Sequence, residues 1–189
     1  RGFLTSSGPA FLTRLYQSIA ATPHAFVYAA FDRDDVAGFI CGSFDTRKVY
    51  RSFLLRAGLP SLPLLLRKSL STRHIRRFWE TWRYPSQRVA AELPPAEILN
   101  FCVSGSFQRR GVGRQLFAAL VEEYRRRQVS EIKIVTGVHQ HSAQRFYEAG
   151  GAKLASRIEI HRGDESLVYR FAIPSLGCTL DSNRVLQAA

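Results

Sequence analysis

The sequence predicts an α/β domain of the mixed, α+β type, and three observations predict it. Residues 97–103 are mostly apolar and β-compatible, Ser104-Gly105-Ser106 reads as a turn, and apolar residues at Val112, Leu116, Phe117, Leu120, Val121 and Tyr124 then keep helical spacing. A further strand pattern, Glu131 to Val138, follows that helix directly, and a right-handed crossover makes the two strands parallel neighbours. Hairpin signals at Asp32-Arg33-Asp34-Asp35 and Arg162-Gly163-Asp164-Glu165 add antiparallel strands on either side.

Taken in order, Ser6, Ser7, Gly8 and Pro9 give the start signal for a helix from Ala10 to Ala21, which Thr22-Pro23 ends. Strands are expected over Ala25 to Phe31 and Val36 to Phe44. Residues 46–95 form an insertion with two predicted helices, Val49 to Ala57 and Leu62 to Trp82, and Pro94-Pro95 closes it. After the central helix and the strand at 131–138 come a short helix from Ser142 to Gly150, a strand from Ala152 to His161 and a last strand from Ser166 to Ile173. Residues 1–173 thus read as a single domain and residues 174–189, without periodicity, as a tail. The chain opens on Arg1 and contains no Met, so its natural beginning is expected upstream.

Charge narrows the partners. With 27 Lys+Arg against 15 Asp+Glu the net charge is +12, which calls for acidic partners: nucleic acid, an anionic membrane or a phosphorylated small molecule. Arginine dominates, and its planar fork suits phosphate. No apolar run reaches the roughly 20 residues needed to span a bilayer, and no signal peptide is visible. Cys41, Cys102 and Cys178 are widely spaced without metal-ligand spacing, which reads as a reduced, cytoplasmic chain. His139 and His141 form a pair without a third ligand, so no metal is assigned.

The stretch carrying the most chemistry is Gln108-Arg109-Arg110-Gly111-Val112-Gly113-Arg114. Two glycines remove side chains from the first turn of the helix and open its unpaired backbone N–H groups to an approaching anion. Arg109, Arg110 and Arg114 add formal charge. A P-loop is excluded because its Gly-Lys-Ser/Thr is absent, and the dinucleotide fingerprint fails at Leu116. From these residues alone the site is an anion site.

This segment fits Gln/Arg-x-x-Gly-x-Gly/Ala, and with its flanking strand and helix it resembles the acyl-CoA-binding core of the GNAT (Gcn5-related N-acetyltransferase) superfamily. That superfamily's second signature, Asn-x-x-Ala-x-x-x-Tyr-x-x-x-Gly-Phe, is matched by Ala143, Tyr147 and Gly151, with Gln140 in place of Asn and Ala152 in place of Phe. The resemblance covers Ala10 to Phe44 and Glu97 to Ile173. It implies a central mixed, mostly antiparallel sheet with a splayed parallel strand pair, helices on both faces and the helical insertion before the central strand. The family's usual strand and helix ahead of the first helix are not both found in residues 1–9.

What the resemblance implies for function is transfer of an acetyl or other short acyl group from acyl-CoA, as co-substrate, to an amine by direct attack. The acceptor is a small molecule or a peptide amine, and a homodimer is compatible with the family. The CoA arm would enter between strands 97–103 and 131–138 and bond the free edge of Phe101, Cys102 and Val103, with an N–H near Val103 as oxyanion donor. Gln108 to Arg114 would hold the pyrophosphate, and Gln140 and Ala143 would flank the arm. Tyr147 is the candidate acid, since a phenol of pKa about 10 stays protonated at neutral pH and can protonate a thiolate. Glu97 is the candidate base through a water, or else a strand-end salt bridge. No Gly-x-Ser-x-Gly elbow is present, which favours direct transfer over an acyl-enzyme. The other reading is a non-catalytic module on this fold that docks nucleic acid or membrane through the basic amphipathic helix at 62–82, and steeply salt-dependent oligonucleotide binding would mark it.

Overall fold

The structure, a computed structural model, describes residues 9–53, 93–161 and 164–175. The predicted helix at 62–82 and residues 176–189 of the tail lie outside the described residues. The elements are α1 (Pro9–Ala21), β1 (Ala25–Asp32), β2 (Asp35–Ser43), α2 (Thr46–Phe53), β3 (Glu97–Val103), a 3-10 turn (Gly105–Phe107), α3 (Val112–Arg126), β4 (Glu131–Gly137), α4 (His141–Ala149), β5 (Lys153–His161) and β6 (Asp164–Ala172). Each predicted element lying wholly within the described residues is present with ends shifted by up to two residues, and of the predicted helix Val49 to Ala57 the part after Phe53 lies outside the described residues.

The strands form one six-stranded sheet in the order β1-β2-β3-β4-β6-β5. Every neighbouring pair is antiparallel except β3 and β4. That exception follows from the α3 crossover, which returns the chain in the same direction. The mixed, mostly antiparallel sheet expected from the sequence is therefore the observed one.

Packing follows strand alternation. On β4, Ile132, Ile134 and Thr136 are buried on one face, against α3, while Glu131, Lys133 and Val135 turn to the other. Leu120 and Tyr124 of α3 and Tyr169 of β6 complete a core in which they are at most 1% exposed. Burying each such aliphatic side chain is worth about 1.5–3 kcal/mol, so this face supplies most of the cohesion. The opposite face is smaller, with Leu15 and Ile19 of α1 packed against Ala25 and Val49. The Tyr124 hydroxyl reaches through the larger core to donate to the Glu97 carbonyl at 2.8 Å and the Ser43 carbonyl at 3.2 Å. It ties α3 to the start of β3, and burial raises its pKa.

At the end of α3, Arg125, Arg126 and Arg127 do more than answer the helix dipole. Arg125 and Arg126 pair with Glu122, Arg127 with Glu123 at 3.2 Å, and the Arg127 guanidinium stacks 5.2 Å over Phe44. The two cysteines of the described residues differ sharply. Cys41 is fully buried and its thiol is pushed up to about 12 by desolvation, whereas Cys102 is exposed. Because burial disfavours the Cys41 thiolate, iodoacetamide at neutral pH is expected to label Cys102 at least about tenfold faster than Cys41, as read by peptide mass mapping.

Candidate functional site

The site begins where β3 and β4 stop pairing. Their parallel register holds only at Glu97 with Lys133 and Ile98 with Ile134, the Lys133 N–H donating to Ala96 at 2.9 Å. Beyond that vertex the strands part. On its other edge β3 stays paired with β2 as far as Val103, and the Ser104 N–H donates to the Ala37 carbonyl at 2.9 Å. Since ladder groups alternate along an antiparallel strand, Ser104 and Cys102 turn their backbone groups toward β2, while those of Phe101 and Val103 turn into the opening. The splayed pair is thus present, and Cys102 contributes no outward backbone group. The Cys102 side chain is exposed.

A cavity of about 660 Å³ fills this opening. Ile98 to Phe101 of β3 and Ile134 to Thr136 of β4 form its walls. His139, Gln140, His141, Ser142, Ala143, Arg145 and Tyr147, from the α4 approach and from α4 itself, close the third side. Tyr147 is 5% exposed, its ring set against Phe101, Phe117 and Phe146 at centroid distances of 5.5–6.4 Å. Burial in this aromatic nest raises its phenol well above the usual value, so the hydroxyl is held protonated. The Thr136 hydroxyl is buried in the described structure with no hydrogen-bond partner.

At the start of α3, Gly111 caps the helix in the left-handed conformation at φ +83°, which favours glycine. A Cβ at Gly113 would meet Phe101 and Val103 at 3.5 and 3.7 Å, so the first turn of α3 lies against the end of β3. Arg109 and Arg110 are exposed, Arg110 lies 5.5 Å over the Phe107 ring, and among the described residues no carboxylate is within ion-pair range of either. Val112 and Arg114, in the same first turn, are half-buried.

Several sequence-predicted residues are engaged differently from expectation. The Gln108 side chain donates to the Val103 carbonyl at 3.2 Å, so it braces the strand edge. Gln140 accepts from the Gly137 N–H at 3.1 Å, which turns its carbonyl back into the β4–α4 turn. Gln144, which sequence reasoning did not single out, completes that turn by donating to the Gly137 and Val138 carbonyls at 2.8 and 2.9 Å. Glu97 sits at the vertex, outside the cavity lining: its carboxylate pairs with Lys133 at 3.1 Å and accepts from the Thr46 hydroxyl at 2.9 Å. Glu97 thus forms a strand-end salt bridge. Gly151, at φ +98°, ends α4 and lets Ala152 donate to the Tyr147 carbonyl at 2.9 Å. That bond fixes the turn carrying the phenol.

Residues 66–151 match the model of the Acetyltransferase (GNAT) family. Among curated proteins none matches the sequence. Solved structures share the fold: the ribosomal-protein-S18-alanine N-acetyltransferase of Escherichia coli aligns with TM-score 0.52 at 13% identity, over 90% of this chain and 78% of its own. The Arabidopsis thaliana NAA60 structure with a bisubstrate analogue aligns with TM-score 0.54 at 16% identity, over 86% and 83%. A Bacillus anthracis acetyltransferase structure in complex with acetyl coenzyme A gives TM-score 0.54 at 13% identity, over 83% and 67%. At these identities the likeness establishes the fold.

Proposed function

We propose that this chain, whose residues 66–151 match the Acetyltransferase (GNAT) family model, transfers an acetyl or other short acyl group from acyl-CoA to an amine, by direct attack of that amine on the thioester. The observation that carries the reading is the parting of β3 from β4 beyond Ile98 and Ile134, with a cavity of about 660 Å³ in the gap. The residues fit an acyl-CoA arm. Phe101 and the Val103 N–H face the opening on the strand edge, the Val103 carbonyl being taken by Gln108, and the buried Thr136 hydroxyl lacks a protein partner.

In this reading the first turn of α3, from Gly111 to Arg114, holds the pyrophosphate with Arg109 and Arg110, combining helix dipole, free N–H groups and formal charge. Phe101 and Val103 bond the arm, Ala143 leaves room beside it, and the Gln140 amide NH₂ remains to donate while its carbonyl serves the turn. The Val103 N–H stabilises the oxyanion that forms as the new C–N bond closes. Tyr147 then donates its proton to the sulfur as the C–S bond breaks, and the excess proton of the amine leaves through a water toward Glu97. No covalent enzyme intermediate is required.

The first test is thermal. Acetyl-CoA at about 100 times its Kd should add about 2.7 kcal/mol of stability, read as a rise in Tm. No rise at millimolar acetyl-CoA would overturn the reading. Glu97→Gln is expected to lower kcat with little effect on acyl-CoA affinity, as measured by thiol release and calorimetry. Unchanged kcat would remove Glu97 from the proton path.

A further inference from the structure

The β2–β3 register skips one residue: Cys41 pairs with Asn100 and Gly42 with Ile98, which leaves Leu99 as a bulge. The bulge changes which face each side chain meets. Ile98, Phe101 and Val103 pack on the α3 core, whereas Leu99 packs on the α1 cluster and Asn100 donates from its Nδ2 to the Tyr16 hydroxyl of α1. Tyr16 is itself braced edge-on by Phe39, with ring centroids 5.3 Å apart. Tyr147 therefore approaches the cavity from the α3 face, and Asn100, which also lines the cavity, approaches from the α1 face.

Resting on the acyltransfer reading, we infer that Asn100 binds the acceptor amine, its Oδ1 accepting an N–H of the incoming nucleophile, with Tyr16 as the positioning residue that fixes the amide. With one Nδ2 hydrogen given to Tyr16, Asn100, a cavity-lining residue, keeps its carbonyl Oδ1 as an acceptor. It stands one residue from the Phe101 edge. An acceptor held there meets the thioester carbonyl from the face opposite the Tyr147 phenol, so nucleophile and departing sulfur have separate protein partners. A neutral amide selects a neutral amine that still carries an N–H, and the half-buried Leu99 beside it gives the adjoining carbon an apolar wall. The substrate class is thus an amine with an N–H to give, set beside an apolar carbon.

Two stable analogues test this by calorimetry: the amide CoA–S–CH₂–C(O)–NH–butyl and the ester CoA–S–CH₂–C(O)–O–butyl, with CoA as reference. Wild type should bind the amide about five- to tenfold more tightly than the ester, the span of one hydrogen bond. Asn100→Leu should bring the two within about twofold while leaving CoA affinity unchanged, which also reports that the variant is folded. Should Asn100→Leu fail to fold, Tyr16→Phe should reduce the amide preference at least about threefold with CoA binding intact, a change that loss of packing alone would not produce. Equal binding of amide and ester by wild type, or a preference that survives both substitutions, overturns the inference. Failure of wild type to bind CoA itself would instead overturn the acyltransfer reading beneath it.

Discussion

Replacing Tyr147 with phenylalanine is expected to lower turnover by about 100-fold or more, the usual range for loss of a positioned acid. The substitution removes one oxygen from a ring that three aromatic neighbours hold in place, so packing survives and acyl-CoA affinity should stay within about twofold. A fall in kcat with preserved Kd assigns the loss to the chemical step; an unchanged kcat would take Tyr147 out of it. The pH profile gives an independent reading. Burial disfavours the phenolate, so the folded-state pKa lies above the ordinary value and the acid form persists through neutral and mildly alkaline pH. Loss of the Tyr147 proton should then produce no alkaline limb below pH about 10 in wild type. An alkaline limb that starts near pH 8 and vanishes in Tyr147→Phe would contradict that sign.

Much of this was legible in the chain because it depends on local spacing. The glycines at 111 and 113, the arginines around them and the apolar period of α3 all act within one strand-turn-helix unit, as does the placement of Tyr147 one helical turn after Ala143. The contacts that were not legible join distant residues. Nothing local marks that Lys133 will stand across from Glu97, because that depends on the parallel register of two strands joined through a helix. The inward turn of the Gln140 carbonyl was hidden for a different reason. An amide three residues from a backbone N–H can close its own turn as readily as reach a ligand, and the choice is made by the β4–α4 geometry. Asn100 is the clearest case. Simple alternation from Ile98 would send its side chain to the α3 core, and only the extra residue at Leu99 sends it to Tyr16.

The same strand geometry makes Gly38→Ala a severe substitution. A Cβ at Gly38 would lie 2.8 Å from the Cys102 carbonyl oxygen and 3.2 Å from the Val103 Cα. Both are backbone atoms of the neighbouring strand, so β3 itself must shift, and it shifts at the edge proposed to bind the acyl-CoA arm. The expected cost is about 1–3 kcal/mol of stability, together with an acyl-CoA affinity reduced at least about tenfold in the folded fraction. Gly42→Ala supplies the contrast. There a Cβ would meet the Phe26 ring at 2.5 Å and the Tyr124 hydroxyl at 2.7 Å, both in the core beneath the vertex. It should destabilise as well, because Phe26 and Tyr124 are packed against each other and against Phe44, yet leave affinity per folded molecule within about threefold. Denaturant titration with calorimetry at a temperature where both variants are folded separates the two effects. If Gly38→Ala lost stability but bound acyl-CoA as wild type does, the Phe101–Val103 edge would not be the surface on which the arm lies.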